Sequence, residues 1–154
     1  MKRVLLMSVL ASGMAFGGAI VGPAAIEARQ TPAASSVPAG QTSLGSVRIG
    51  RAVMANGQRL PAGTYQVRLT GETAGPPAKG QTPELQRWVE FVQGGQVRGR
   101  EVVSVVPQAE IKDVAKGAAP AAGSARVEML KGDDYLRVWI HRGGNHYLIH
   151  LPPA

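Results

Sequence analysis

The feature that most constrains the fold is the period-two pattern of apolar residues in the last two predicted strands, on either side of Gly143–Gly144. Six apolar residues share one face of this hairpin: Leu136, Val138, Ile140, Tyr147, Ile149 and Leu151. Successive side chains of a strand point to opposite faces, so a one-residue shift in pairing would expose all six. The pattern therefore predicts a hairpin that turns at Gly143–Gly144 and buries this face in the core.

Shorter stretches upstream have the same alternation, separated by turn sequences at hairpin spacing, such as Asn56–Gly57 and Gln93–Gln96. The predicted strands cover residues 47–55, 64–70, 85–92, 97–106, 124–130, 135–141 and 146–151. About seven short strands joined by such turns are typical of an all-β protein. We therefore expect a single antiparallel β-sandwich.

The N-terminal segment has the three parts of a secretory signal peptide. Lys2 and Arg3 precede an uncharged, mostly apolar run over residues 4–22, and small residues follow it. Residues 1–28 are predicted to be a signal peptide, and the mature protein is expected to be periplasmic or extracellular. The alternative is a retained anchor, because the run is close to the length that spans a bilayer. Membrane contact is expected only through this N-terminus, if it is not cleaved.

Residues 29–46 contain few large apolar side chains and are predicted to be a flexible linker, because they bury too little surface to offset their ordering entropy. Two segments of similar composition, 71–83 and 108–123, interrupt the strand pattern. The second includes a predicted helical turn around residues 110–116. The β-sandwich domain is therefore expected to span residues 47–154.

Composition excludes several classes of protein. The chain has no Cys, which rules out a disulfide scaffold, a cysteine zinc site, a thiol enzyme and a lipoprotein anchor. The formal net charge is +7, but the basic residues are spread along the chain. For an exported protein the accessible polyanions are lipid headgroups, cell-wall polymers and acidic polysaccharides, so nucleic acid is not an expected partner.

The outer face of the last hairpin is the first candidate site. Its members are Tyr135, Arg137, Trp139, His141, His146, Leu148 and His150. The predicted pairing sets His141 directly opposite His146, with Cβ atoms about 5 Å apart, near enough for both imidazoles to hold one Cu or Zn ion. His150 lies two pairs further along the ladder and does not easily complete that site.

Two other interpretations of this face stay open. It can be a half-exposed strand surface of amphipathic residues with a purely structural role. It can also be a ligand face, on which Tyr135 and Trp139 form a flat aromatic strip for a sugar or peptide, flanked by Arg137 and His150.

No catalytic or cofactor-binding constellation stands out, and the chain is predicted not to be an enzyme. Ser104 and Ser124 lack the G-x-S-x-G setting of a nucleophile elbow. Glu90 and Glu101 are predicted to share one face of a hairpin. Acids on a strand pair rich in arginine are usually solvated ion-pair partners.

Residues 49–69 contain Asn56–Gly57 followed by Leu-Pro-Ala-Gly-Thr-Tyr at residues 60–65. This segment resembles a strand-turn-strand unit of small exported proteins of uncharacterised function from Gram-negative soil bacteria. The resemblance implies a compact β-sandwich and supplies no catalytic residue. In physical terms, Pro61 and Gly63 suit a turn, and Tyr65 is expected to enter the core at the start of a central strand.

Three functions are compatible with the sequence. The first is a non-catalytic binding or scaffolding module at the cell envelope, with an envelope polymer or a protein as partner. The second is a subunit of a self-associating extracellular assembly that forms by edge-strand pairing. The third is a periplasmic metal-handling domain that uses His141 and His146.

Overall fold

A computed structural model describes residues 39–75 and 86–154, of which 61% are in β-strands and 4% in helix. The elements are β1 (Thr42–Ile49), β2 (Val53–Ala55), β3 (Gln58–Leu60), β4 (Gly63–Thr73), β5 (Gln86–Gln93), β6 (Gln96–Pro107), α1 (Ile111–Val114), β7 (Ala125–Met129), β8 (Leu136–Arg142) and β9 (Asn145–Leu151). The predicted all-β, antiparallel fold class is confirmed. The predicted signal peptide, residues 1–28, lies outside the described residues.

Seven strands form one antiparallel sheet in the order β1-β4-β5-β6-β9-β8-β7. The sheet curls so far that its two edge strands, β1 and β7, contact each other. Within the described residues no hydrogen-bonded ladder joins β1 to β7, so they meet at a junction that we call the seam. Opposite walls of one continuous sheet thus enclose the core, as the two sheets of a sandwich would.

The core lies on the concave face of the sheet, and the last hairpin contributes to it as predicted. All six apolar residues named above belong to the main cluster, with Val138 and Ile149 fully buried. The pairing also follows the prediction, because His141 lies opposite His146 and Arg137 opposite His150. Burial of each such side chain contributes about 1.5–3 kcal/mol, which makes this register far more stable than its neighbours.

The predicted linker, residues 29–46, is wrong at its C-terminal end, because β1 begins at Thr42. Leu44 is buried in the core, and the ladder to β4 has a bulge between Ser43 and Gly45. Small polar residues form much of this strand, which is why composition alone did not distinguish it from a linker. The predicted strand over residues 47–55 is likewise two strands, separated at residues 50–52.

The β2–β3 hairpin covers the concave face of the sheet. Its turn is formed by Asn56 (φ 43°) and Gly57 (φ 80°), as the sequence predicted. The hairpin buries Leu60 completely, next to Gly99 of β6. A Cβ atom at Gly99 would lie 3.0 Å from Leu60 Cδ2, so any other residue would require Leu60 to shift. The chain end pairs with the other side of β2, where the Met54 N–H donates to the Pro152 carbonyl over 2.7 Å.

The Leu-Pro-Ala-Gly-Thr-Tyr segment has the structural role predicted for it. Tyr65 is fully buried, and its ring meets Phe91 edge to face at a centroid distance of 6.2 Å. The Tyr65 hydroxyl donates to the Pro61 carbonyl over 2.7 Å, which ties the turn to β4. Burial raises the pKa of the Tyr65 phenol, although the charge of Arg98 opposes this shift.

Glu90 and Glu101 do not share a face, contrary to the prediction. The β5–β6 ladder shifts register between Phe91 and Val92, so that Glu90 pairs with Arg100 and Glu101 with Val89. Because β6 contains one extra residue, every later residue of that strand lies on the opposite face from the one that the sequence predicted. Glu101 accepts a hydrogen bond from the Asn56 N–H over 2.7 Å, whereas Glu90 lies 3.7 Å from the Arg100 guanidinium.

Candidate functional site

The outer face of the last hairpin is covered by residues 108–123, which we call the cover segment. Its short helix α1 lies where the sequence predicted a helical turn, around residues 110–116. Ile111 and Ala115 of this segment pack with Val106, Trp139 and Leu148 in a second apolar cluster. The half-exposed strand surface that the sequence suggested is therefore wrong at its centre, where Trp139 is 1% exposed and His146 is fully buried.

Both ring nitrogens of His146 have hydrogen-bond partners. The Trp139 indole N–H donates to His146 Nδ1 over 2.9 Å, so Nδ1 carries no proton. His146 Nε2 lies 2.5 Å from Gln108 Oε1 and donates to it. Burial, together with the neighbouring His141, lowers the pKa of His146. Because Nδ1 accepts and Nε2 donates, this imidazole is neutral and has no lone pair free for a metal.

His141 stacks on His146 with ring centroids 4.1 Å apart and planes inclined by 27°. Its Nδ1 lies 3.1 Å from the Pro120 carbonyl, which can only accept, so Nδ1 donates. Stacked rings do not direct two nitrogens at a common point, and within residues 39–75 and 86–154 no three metal-ligating side chains cluster. The arrangement does not fit the predicted Cu or Zn site at His141 and His146.

Arg137, predicted as part of a ligand face, instead fastens the cover segment. It is buried, forms an ion pair with Glu128, and donates through Nη2 to the Lys116 carbonyl over 3.1 Å. Its guanidinium also lies 4.8 Å from the centroid of the Trp139 ring. Arg126 bonds to Glu128 at 3.0 Å and to the Ala118 carbonyl at 3.0 Å. Two arginines of β7 and β8 thus bind the backbone of the cover segment.

Tyr135 and His150 lie at the open end of this face. Tyr135 is 46% exposed, and its ring meets that of His150 edge to face at 6.4 Å. Partial burial and the charge of Arg137 lower the pKa of His150. Since Trp139 is buried, the predicted aromatic strip of Tyr135 and Trp139 is not a continuous surface.

A second concave site, absent from the sequence predictions, lies at the seam. This seam groove has a volume of about 480 Å³. It is lined by Arg48, Gly50, Arg51, Val127, Glu128, Met129 and Leu136. One wall of the groove is the end of β1 and the turn that leads to β2. The other wall is β7 together with the start of β8.

The seam groove has an apolar floor and a basic rim. Val127 and Met129 are half-buried and pack against the main core, which makes the floor continuous with the interior. Arg48 and Arg51 are exposed, and among the described residues neither is in an ion pair. The carboxylate of Glu128 is already compensated by two arginines. The net charge available to a ligand is therefore positive.

The sequence contained only a partial signal for this groove. Arg51 interrupts an otherwise apolar strand face, which indicates an irregular strand but does not indicate a binding site. The floor residue Met129 lies far along the chain from Arg48, and only the curling of the sheet brings them together.

Comparison of the chain with protein-family models, with curated proteins and with solved structures gives no significant match. Over the two described ranges, no helix combines the length and hydropathy that crossing a membrane requires.

Proposed function

We propose that this protein is a non-catalytic binding module of the cell envelope and that the seam groove is its binding site. The observation that carries the proposal is an apolar floor next to two arginines without ionic partners among the described residues. Small-molecule sites typically measure about 300–1,000 Å³ and combine an apolar lining with a few polar groups. At about 480 Å³ the groove falls within that range of volumes, and it is widely open to solvent.

The acidic residues considered above already have ion-pair or hydrogen-bond partners, which supports binding rather than catalysis. Glu128, which lines the groove, is held by Arg126 and Arg137. Glu90 and Glu101 lie on opposite faces of their hairpin. General acid–base catalysis needs a carboxyl group that is free to exchange a proton with a substrate. Glu90 accepts a hydrogen bond from Gln41 Nε2 over 3.1 Å, and Glu101 accepts one from the Asn56 N–H over 2.7 Å, so each of the three carboxylates is already engaged.

The contact between β1 and β7 at the seam argues against self-association through these edge strands. An unpaired edge strand attracts another chain when it is long, flat and open to solvent. Here the two edges of the large sheet, β1 and β7, contact each other. We therefore favour ligand binding over assembly as the function of this region.

The envelope location rests on the signal peptide that the sequence predicts. Cleavage after Ala28 would leave residues 29–41 before β1. If the N-terminus is instead retained, residues 23–41 connect the apolar run to β1.

Site-specific photo-crosslinking in the native host tests this proposal. A benzophenone amino acid at Gly50 is well placed, because a Cβ there meets no atom within 4 Å and the groove is adjacent. The matched control is the same amino acid at Arg59, which is exposed on β3. We expect an adduct in the envelope fraction from position 50 alone. Equal adducts from both positions, or none from position 50, would contradict the proposal.

A further inference from the structure

We propose that the seam groove binds a single-chain amphiphile with a carboxylate headgroup, such as a free fatty acid. This inference rests on the proposed function and names the class of ligand. The acyl chain lies on Val127, Met129 and Leu136, and the carboxylate is held by Arg48 and Arg51.

The floor of the groove suits an acyl chain. Leu136 is buried at its base, and Val127 and Met129 are half-buried beside it. The unbranched, polarisable side chain of methionine adapts to ligands of irregular shape. Because these residues also pack against the main core, the floor is present before a ligand arrives. A preformed apolar surface avoids an ordering cost on binding.

The rim of the groove suits a carboxylate. Arg48 and Arg51 are both exposed and near the end of β1, and their guanidinium groups can donate paired hydrogen bonds to a planar carboxylate. Glu128 would repel an anion if its charge were free. Its two bonds to Arg126 and Arg137 remove that objection.

The size of the site favours one chain and excludes an extended peptide within the seam. A volume of about 480 Å³ is in the lower half of the usual range for ligand sites, which suits one acyl chain better than two. β1 and β7 have Cα atoms within 8 Å of each other. A strand inserted between them would need a separation of about 9–10 Å, twice the spacing of neighbouring strands.

Calorimetric titration of the purified, delipidated protein with three probes tests this proposal. Dodecanoate carries both chain and carboxylate, dodecyltrimethylammonium carries the same chain with the opposite charge, and acetate carries the carboxylate alone. All are used below their micellar concentrations. We expect dodecanoate to bind at one site, and the other two to bind at least tenfold more weakly. Each methylene removed from the chain should weaken binding by up to about fourfold.

Two variants locate the binding. The double substitution R48Q/R51Q removes the basic rim and should weaken dodecanoate binding at least tenfold. R59Q removes an equally exposed arginine outside the groove and should leave binding unchanged. Thermal unfolding of each variant verifies that the fold is intact, and M129Q provides a second variant that changes the floor instead of the rim.

Several results would overturn the inference: no binding of dodecanoate, equal binding of the cationic probe, or full binding by both R48Q/R51Q and M129Q. The crosslinking experiment separates this failure from that of the proposed function. If dodecanoate does not bind but the adduct at position 50 persists, the ligand class is wrong and the binding function stands. If both experiments fail, the proposed function fails as well.

Discussion

The indole N–H of Trp139 donates to Nδ1 of His146 in a site that is closed to solvent. The bond assigns the imidazole proton to Nε2, where Gln108 accepts it. His146, which the sequence suggested as a metal ligand together with His141, is therefore a structural link between the last hairpin and the cover segment.

The first prediction concerns pH. Burial and His141 lower the pKa of His146, so between that lowered pKa and about pH 6.5 the unfolded chain binds more protons than the folded protein. The free energy of unfolding should therefore fall as the pH drops below that value, by at most about 1.4 kcal/mol per pH unit for this group. Urea unfolding at pH 7.5 and at pH 5.0 measures the difference.

His150 has a lowered pKa too and contributes in the same direction, which makes H150Q the matched comparison. H146Q should lose more of the pH dependence than H150Q, because His146 is buried and His150 is exposed. Equal pH dependence in the wild-type protein and H146Q would contradict the assignment of His146 as a buried neutral base.

A second prediction concerns the indole itself. W139F removes the donor and leaves His146 Nδ1 buried without a partner, which should cost about 1–3 kcal/mol of unfolding free energy in addition to the lost apolar contact. W88F, at a half-buried position on β5, serves as the comparison and should cost less. Denaturant unfolding of both variants measures this, and equal losses would show that the hydrogen bond is unimportant.

The third prediction concerns the arginines that fasten the cover segment. R137Q removes a buried ion pair and the bond to the Lys116 carbonyl, and Arg126 is left to compensate Glu128. We expect a loss of about 1–3 kcal/mol and faster amide exchange at Ala115, whose N–H bonds to the Ile111 carbonyl.

R126Q is the comparison, since Arg126 bonds to the same carboxylate but its side chain is 45% exposed. Exposed pairs are typically worth about 0–1 kcal/mol, so this variant should be near neutral. Unchanged exchange at Ala115 in R137Q would mean that the apolar contacts alone hold the segment in place.

A fourth prediction concerns the packing of the β2–β3 hairpin on β6. A side chain at Gly99 would press against Leu60 and Ala55, at 3.0 and 3.2 Å from its Cβ atom. G99A should therefore destabilise the protein by about 1–3 kcal/mol, the usual cost of overpacking. G50A is the matched control, because its Cβ would meet open space. Thermal unfolding of both variants measures the difference. This packing is contradicted if G50A is no more stable than G99A.

The sequence was sufficient to predict the last hairpin, including its register. Its two-glycine turn and its six apolar residues favour the same pairing, so local and tertiary preferences agree. The burial of Tyr65 was predictable for a similar reason, because Pro61 and Gly63 specify the turn that precedes it.

The cover segment was not predictable as a packed element. Ile111, Ala115 and the Gln108 side chain contact the hairpin directly. The rest of its attachment depends on backbone groups, among them carbonyls that accept from Arg126, Arg137 and His141. Backbone carbonyls are present in every residue and leave no mark in a sequence. The Ala, Gly and Pro content of residues 108–123 therefore resembled an open linker.

The bulge in β6 and the seam groove were unpredictable for two further reasons. Arg98 has no partner in the β5–β6 ladder, and the adjacent Gly99 is compatible with either a bulge or a close backbone approach, so the reversed facing of Glu101 did not follow from the sequence alone. The groove depends on contact between the first and the last strand of the sheet order. Strand order and curvature arise from the whole sheet rather than from local pattern.

The most direct test of the central claim is amide chemical-shift mapping by NMR as dodecanoate is added to the protein. Binding in the groove predicts saturable shifts at Gly50, Arg51, Val127 and Met129, with little change at Trp139 and His146 beneath the cover segment. Saturable shifts confined to Tyr135, Trp139 and His150, with none at the seam, would contradict the account.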